Sequence, residues 1–458
     1  MGFLDSRRSR RSDLALRDGS CVGVIGGGPA GSFFSIFLLD MAERVGLDLR
    51  VEIYEPRDFS RTGPASCNMC GGIVSESLVQ ALAAEGINLP PSVVERGIDS
   101  YVLHMEAGSV RIQTPLAEKR IAAVHRGAGP RGSRDWKWRS FDGYLLELAL
   151  SRGAILVPHR VEEVSYQNGR PSLRSAGGPL RTVDLLAVAS GVNSSLPKAL
   201  EGLRLGYRAP RTTKTYICEI RLGEETVEER FGGSMHVFLL DIPRLEFAAL
   251  IPKGEYVTMC LMGKRIDASV IGAFLSAPEV RSCLPPGWSA PPDLCHCAPL
   301  MSIQGARRPY ADRVVFIGDC GVTRLYKDGI GSAYRTAKAA AVTAIFDGIS
   351  AEDFRRRFWR SCRSLNADNA IGRLVFAIAG QQRKRKHDCR GIMRMVAAEQ
   401  RAPGDRRRMS TVLWDVFTGS APYKEVFLRT LHPLFWGRLI LEILRGAAVD
   451  FRAPAHRI

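Results

Sequence analysis

The sequence predicts an α/β protein with a parallel sheet, a second and mostly antiparallel sheet, and a helical C-terminal region. Three observations carry that expectation. Residues 21–31 read CVGVIGGGPAG, a β-branched apolar run, a glycine turn and the start of a run rich in Phe, Ile and Leu. From Thr212 the apolar pattern changes to alternation, the period of a half-buried strand. Beyond Glu352 a strongly basic stretch leads into an apolar, aromatic segment, residues 412–444, with helical spacing.

The first stretch is the most informative. Val22, Val24 and Ile25 suit a buried parallel strand. Gly26, Gly28 and Gly31 follow in the spacing G-x-G-x-x-G, and residues 32–41 read as a buried helix. Strand, glycine turn and helix form the Rossmann-type dinucleotide fingerprint. Gly26 permits the tight turn, Gly28 lets a pyrophosphate approach the backbone, and Gly31 lets helix and strand pack closely. The helix N-terminus then holds the anion. A second strand, residues 49–54, ends at Glu55, 24 positions after the last glycine. An acid there suits an unphosphorylated adenosine ribose, so FAD or NAD rather than NADP.

The chain has 458 residues, 45% hydrophobic and 24% charged, enough for two or three domains of ordinary globular composition. Its net charge of +17 points to an anionic partner. Eleven scattered cysteines do not suggest a disulfide framework and place the chain in a reducing, cytoplasmic compartment. Arg7, Arg8, Arg10 and Arg11 resemble a twin-arginine signal, but the apolar run behind them belongs to the first strand and helix, so residues 1–19 read as a basic flexible arm. No apolar run is long enough to predict a transmembrane helix.

Residues 61–72, RTGPASCNMCGG, read as a loop leaving the second strand, at the sheet end where ligands bind. Its Cys67 and Cys70 form C-x-x-C, which admits a zinc half-site, a redox dithiol, an active-site thiol beside the cofactor, or merely a buried cysteine. Zinc would need a second pair, and Cys295–His296–Cys297 is poorly spaced for it, so no metal centre is expected. Residues 75–86 read as a helix, 98–111 as a hairpin turning at Ala107–Gly108, and 127–132 as a flexible loop. Trp136 and Trp138 share one side of a strand, as core or as the wall of an apolar pocket. Residues 141–151 read as a helix, 154–157 as a strand, and 161–181 as polar strands turning at Asn168–Gly169 and Gly177–Gly178. A buried strand at 183–189 precedes Ser190–Gly191. Strands at 215–222, 235–240, 247–250 and 256–262 form the second sheet, with a turn at Lys253–Gly254. A last buried strand at 313–318 ends at Asp319. The small-residue helix 330–346 starts behind Lys327–Asp328–Gly329.

Four separated stretches then match one pattern: GGGPAG with Glu55; Arg139 leading into FDGYLLELA; ASGVNS at 189–194; and GD at 318–319 followed by KDGIG at 327–331. Together they resemble the flavoprotein class of aromatic hydroxylases and geranylgeranyl reductases over roughly residues 20–350. The resemblance implies one FAD bound by distant segments. Gly26, Gly28, Ala30 and Gly31 would hold the pyrophosphate. Glu55, with Arg57, would serve the adenosine ribose, and Arg139 would sit near the phosphates, unless it makes only a surface salt bridge. Asp319 would bind the ribityl or phosphate region, unless it is a strand-end turn residue. Gly329 and Gly331 would open the helix facing the flavin ring, where helix N–H groups stabilise the negative charge of the reduced ring. Ser190 stands where the family often has the Asp of A-D-G-x-x-S, which puts direct reduction by NADPH in doubt. Cys70–Gly71–Gly72 resembles the C-G-G loop of the reductases, and Asp319 lacks the following His and Pro of the hydroxylases.

The resemblance implies domains at 20–60, 139–200 and 305–350 for FAD, and at 61–138 and 201–304 for substrate. Residues 351–458 form a basic helical region. Between Glu352 and Arg408 there are 16 Lys and Arg against 6 Asp and Glu. Next to them lie Trp414, Phe417, Phe427, Leu431, Leu434, Phe435 and Trp436, a pairing that suits an anionic membrane surface, at the inner face of the membrane. A solvated basic face over a core helix is the plainer reading, and no nucleic-acid fold signature accompanies the charge. The expected function is reduction of carbon–carbon double bonds in an apolar, isoprenoid or lipid-like substrate, with Cys70, aided by Cys67, as proton donor and NADPH or ferredoxin as electron source. The alternatives are an FAD monooxygenase acting on an aromatic or lipid substrate, and a non-catalytic membrane adaptor that keeps the fold.

Overall fold

A computed structural model describes residues 12–67, 70–114, 121–133, 140–401 and 407–447. Arg139, Trp136, Trp138 and the four arginines of the basic arm lie outside the described residues.

Six strands form the first sheet, in the order Tyr310–Ala311, Val314–Phe316, Leu185–Val188, Ser20–Ile25, Leu49–Tyr54, Ile155–Val157. All neighbours are parallel except the first two, which form a hairpin. Val22, Val24, Val51 and Ile53 are fully buried, which explains why these strands read as continuous apolar runs. On one face pack the helices Pro29–Arg44, Phe141–Ser151 and Gly329–Phe346, with Phe33, Phe37, Leu145, Ala337 and Ala341 in one core. The first and last of these lie against each other. Alanines in the last allow the close approach. On the opposite face sits a three-stranded antiparallel sheet made of Val161–Gln167, Arg170–Ser175 and Leu180–Thr182. Gly23 is required there, since a Cβ would lie 2.9 Å from Leu173.

The second sheet has seven strands, in the order Cys295–Cys297, Tyr216–Arg221, Tyr256–Gly263, Leu245–Lys253, Ser234–Phe238, Ser100–Met105, Gly108–Gln113. Every pairing is antiparallel except Ser234–Phe238 with Ser100–Met105. The hairpin turns where the sequence predicts, with Met105 opposite Gly108. The turn expected at Lys253–Gly254 forms one position later, over Gly254 and Glu255, and Lys253 pairs with Tyr256 as the last residue of its strand and is 1% exposed.

Each face of this sheet is covered by helices. Val227, Phe231, Val270 and Phe274, from Glu224–Phe231 and Ala268–Ser276, cover one. The C-terminal region covers much of the other. Phe376 from the 26-residue helix Phe358–Arg383 stacks on Phe247, with centroids 6.1 Å apart, and Trp414 stacks on Tyr101 at 5.5 Å. This corrects one expectation. Trp414, Phe417 and Phe435 are core side chains, each less than 5% exposed, because the sheet's apolar face needs a cover. Toward the end of the described chain, exposed apolar residues cluster as Leu428, Leu431, Leu434, Trp436, Ile440, Leu441 and Leu444, on Tyr423–Thr430, Pro433–Ala447 and the turn between them. Among the described residues no helix is long and apolar enough to cross a membrane.

Candidate functional site

The glycine turn closes on itself and on the neighbouring strand ends. Gly26 has φ +105°, and its N–H donates to the Tyr54 carbonyl at 2.9 Å. A Cβ on Gly26 would stand 2.6 Å from the Ala189 carbonyl oxygen, and one on Gly31 would run into the Gly26 carbonyl. Only glycine fits at either place. Gly28 is the N-cap of Pro29–Arg44 and has no side chain to offer, so the first N–H groups of that helix stay free for a ligand. Ala30 lies in the first turn, where a Cβ on Gly318 would come within 2.7 Å of its own. Gly318, at φ +65°, thus brings Asp319 next to the helix N-terminus.

Glu55 is 2% exposed. One carboxylate oxygen accepts from the Gly27 N–H at 3.0 Å, and the other from the Arg57 backbone N–H and Nε, each at 3.0 Å. The carboxylate is held at the edge of the turn by two glycine-turn neighbours, one of which, Gly27, falls outside the G-x-G-x-x-G spacing.

The helix Gly329–Phe346 opens close to Asp319. A Cβ on Gly329 would lie 3.9 Å from Asp319 Oδ1. Tyr326 and Asp328, just before it, hold left-handed φ values of +59° and +54°, and such outliers concentrate at ligand sites. The Asp328 carboxylate leans over Gly331, where a Cβ would collide with it, and pairs with Arg335 and, at 3.6 Å, Arg324. Arg324 donates to the carbonyls of Gly419, at 2.8 Å, and Ala421, and stacks over Tyr423 at 4.7 Å. The C-terminal helices therefore brace this helix start.

A seam of polar groups runs from Asp319 into the second sheet. Burial holds the Asp319 carboxyl above its usual range, with Arg126 opposing. Arg126 makes a forked pair with Asp142, Nε to Oδ1 at 2.9 Å and a terminal nitrogen to Oδ2 at 2.8 Å. Burial disfavours its charge, yet Asp142, with Cys70 and Asp319 behind it, pushes its pKa up. Cys70 Sγ accepts from the Gly72 N–H at 3.4 Å. A Cβ on Gly71 would touch Cys260 Sγ at 3.0 Å, and one on Gly72 would lie 2.9 Å from Lys253 Nζ. That Nζ is buried without a hydrogen-bond partner among the described residues. Burial, then Lys253, pulls His125 well below its usual pKa. Burial raises Glu219, with Lys253 opposing, and Glu219 accepts from Thr258 Oγ1 at 2.7 Å. Lys327 Nζ rests over Phe247, 3.9 Å from its centroid, and burial lowers its pKa to about 7.

The structure thus draws together Gly26, Gly28, Ala30, Gly31, Asp319, Gly329 and Gly331, sets Glu55 and Arg57 at their edge, and places Cys70 beside Arg126. Cys67 and Cys70 lie in the same loop, and both act electrostatically on Cys297. Arg126, Lys253, Glu219 and Lys327 are additions that sequence reasoning missed. The signal for Lys253 was a charged residue inside an apolar strand run, LEFAALIPK. The uncapped start of Pro29–Arg44, a glycine cradle and a buried Ser190 hydroxyl without a partner among the described residues fit a pyrophosphate-bearing dinucleotide.

No protein-family model matches the chain, and no curated protein matches it. Solved structures do. A geranylgeranyl bacteriochlorophyll reductase-like protein from Thermoplasma acidophilum superposes with TM-score 0.63 at 14% identity, over 90% of this chain and 99% of that one. Halogenase PltM in complex with phloroglucinol and FAD gives 0.59 at 13% identity, over 94% and 96%. A flavoprotein/dehydrogenase from Cytophaga hutchinsonii gives 0.59 at 13%, over 94% and 100%. The chain has the fold shared by these FAD-dependent oxidoreductases.

Proposed function

We propose that the protein is an FAD-dependent oxidoreductase that reduces carbon–carbon double bonds of an isoprenoid or other lipid-like substrate. The observation that carries this reading is the meeting of the glycine turn, Asp319 and the Gly329–Phe346 helix start, with the Cys70 loop packed behind Arg126. Gly26, Gly28, Ala30 and Gly31 would line the pyrophosphate, Glu55 and Arg57 the adenosine ribose, and Asp319 the ribityl chain. Gly329 and Gly331 would face the ring. Bound there, FAD would supply hydride transfer. The Gly329–Phe346 helix start stabilises negative charge on the ring side. Cys70 would hold a thiol proton for the alkene, Cys67 lies three residues away in the same loop, and Arg126, held by its fork with Asp142, acts electrostatically on that thiol. The reductase-like neighbour and the C-G-G sequence at 70–72 support an alkene substrate.

The test is anaerobic. Purified protein is reduced with dithionite, and geranylgeranyl diphosphate or a geranylgeranylated lipid is added. Flavin absorbance that returns with the alkene and without oxygen supports the reading. Parallel runs with NADPH or reduced ferredoxin identify the donor. Return only with oxygen overturns it in favour of a second reading, oxygen-dependent attack on an oxygenated aromatic, which the buried Lys253 Nζ, without a hydrogen-bond partner among the described residues, favours.

The substrate class fits attachment to an anionic lipid surface at the inner face of the membrane. Leu434, Leu441 and Leu444 are 64%, 44% and 64% exposed on Pro433–Ala447, which also carries Arg438 and Arg445. With a protein charge of +17, lipid is the occupant this surface suits. Sedimentation with phosphatidylserine vesicles that is lost in the triple change Leu434→Glu, Leu441→Glu and Leu444→Glu supports it. Equal sedimentation of both proteins overturns it.

A further inference from the structure

Away from the polar seam, on the opposite face of the seven-stranded sheet, three ligand-type side chains converge. His104 Nε2 lies 3.0 Å from His236 Nδ1, His236 Nδ1 lies 3.2 Å from Cys283 Sγ, and Cys283 Sγ lies 3.7 Å from His104 Nε2. The side chains are buried, at 4%, 5% and 5% exposure. They come from far apart in the chain. His104 and His236 sit on the one parallel pair of strands in the sheet, where Val102 faces His236 and His104 faces Phe238. Cys283 follows the short helix Pro278–Arg281, with its N–H bonded to the Val280 carbonyl at 3.0 Å.

We propose that His104, His236 and Cys283 bind a zinc ion. A point about 2 Å from all three atoms lies near the centre of their triangle, which matches Zn–N distances of about 2.0–2.1 Å and Zn–S distances of about 2.3 Å. Two imidazole nitrogens and a sulfur suit a borderline-soft cation and not calcium or magnesium. Ser109 Oγ lies 2.7 Å from His104 Nδ1. When that oxygen accepts from Nδ1–H, the Nε2 lone pair points to the triangle, which is the outer-shell arrangement of metal-bound histidine. The surroundings are aromatic. Phe238 stacks on His104 with centroids 4.5 Å apart, and Phe231 tilts against His236 at 4.8 Å. Such a wall excludes bulk water and makes the role structural. The ion would pin the Cys283 segment to the sheet.

Binding breaks the Cys283 S–H bond and forms a Zn–S bond, and the proton leaves to solvent, with no change of oxidation state. Burial pushes that thiol up to about 12, so the ion itself must displace the proton.

The test uses the full-length protein, stripped with a chelator and then titrated with zinc against a chromophoric competitor. The expected result is one zinc per chain, a rise in melting temperature, and cobalt substitution that gives a thiolate-to-metal charge-transfer band. Cys283→Ser and His236→Gln each abolish stoichiometric binding and the band, while Ser109→Ala weakens zinc about tenfold. FAD absorbance serves as the folding control for each variant. No stoichiometric zinc in the wild-type protein overturns the proposal. So does zinc that persists in both Cys283→Ser and His236→Gln, since it must then sit elsewhere, or binding of copper(I) alone.

Discussion

The Trp414 indole N–H donates to Glu76 Oε1 at 2.9 Å, joining two buried side chains 338 positions apart. The last third of the chain is therefore tied to the helix that follows the C-x-x-C loop. The second carboxylate oxygen of Glu76 has no partner among the described residues. Trp414→Phe removes the donor, leaves a buried carboxylate poorly satisfied and opens space beside Tyr101. Stability should fall by about 2–3 kcal/mol. A urea midpoint that drops at constant slope checks it.

Gly31→Ala places a methyl against the Gly26 carbonyl, so the turn must open. The expected outcome is at least about a tenfold loss in FAD affinity, or 1.4 kcal/mol. Fluorescence titration of apoprotein with FAD measures it. Gly272→Ala provides the comparison, since it too is a helical glycine without a positive φ, but nothing lies within 4 Å of the added Cβ.

Arg126→Ala leaves Asp142, fully buried, without its fork. Breaking such a pair costs about 3–5 kcal/mol. Arg126→Lys keeps the charge but loses one of the two parallel hydrogen bonds and should cost about 1–2 kcal/mol. Thermal unfolding separates the two variants. Both should also show slower double-bond reduction if Arg126 positions Cys70.

Asp415 supplies a pH dependence. Burial raises its pKa to about 6, with Arg429 opposing. The folded state therefore holds the proton more tightly than the unfolded state does. The stability this contributes is complete below pH 3.8 and is lost as pH rises through 6. Asp415→Asn lacks the dependence. The urea midpoint of Asp415→Asn relative to wild type should rise between about pH 4 and pH 6 and level off above, and a constant difference across that range would sink the assignment.

Much of the fold is written in local pattern. The turn at 26–31, the strand Leu49–Tyr54 and the helix Phe141–Ser151 announce themselves through neighbours within a few positions, and each forms where its pattern predicts. The polar half of the site is written differently. Arg126 sits in a stretch rich in Gly and Arg that reads as loop, and only its fork with Asp142 gives it a place. Lys253 precedes a glycine, which signals the turn that follows it, but its burial depends on the pairing with Tyr256 and on what covers that sheet face. His104 and His236 are single histidines in apolar strands. Nothing in either strand says that they meet, since the meeting depends on a parallel register set by tertiary packing. Trp414 and Phe417 have the composition of a membrane-facing helix, and what turns them inward is an uncovered sheet face more than 300 residues earlier in the chain.

The strand order of the first sheet has a consequence for synthesis. Ser20–Ile25 lies between Leu49–Tyr54 and Leu185–Val188, and beyond Leu185–Val188 the parallel order continues with Val314–Phe316. At a ribosomal rate of about 5–20 residues per second, the first strand waits roughly 8–30 s for its second neighbour, and as long again for the last. Through that interval its apolar edge is bare, and pairings so distant in sequence form slowly. Productive maturation should therefore depend on chaperone holding of the nascent chain, and a ribosome stalled before residue 316 should release a polypeptide that cannot retain flavin.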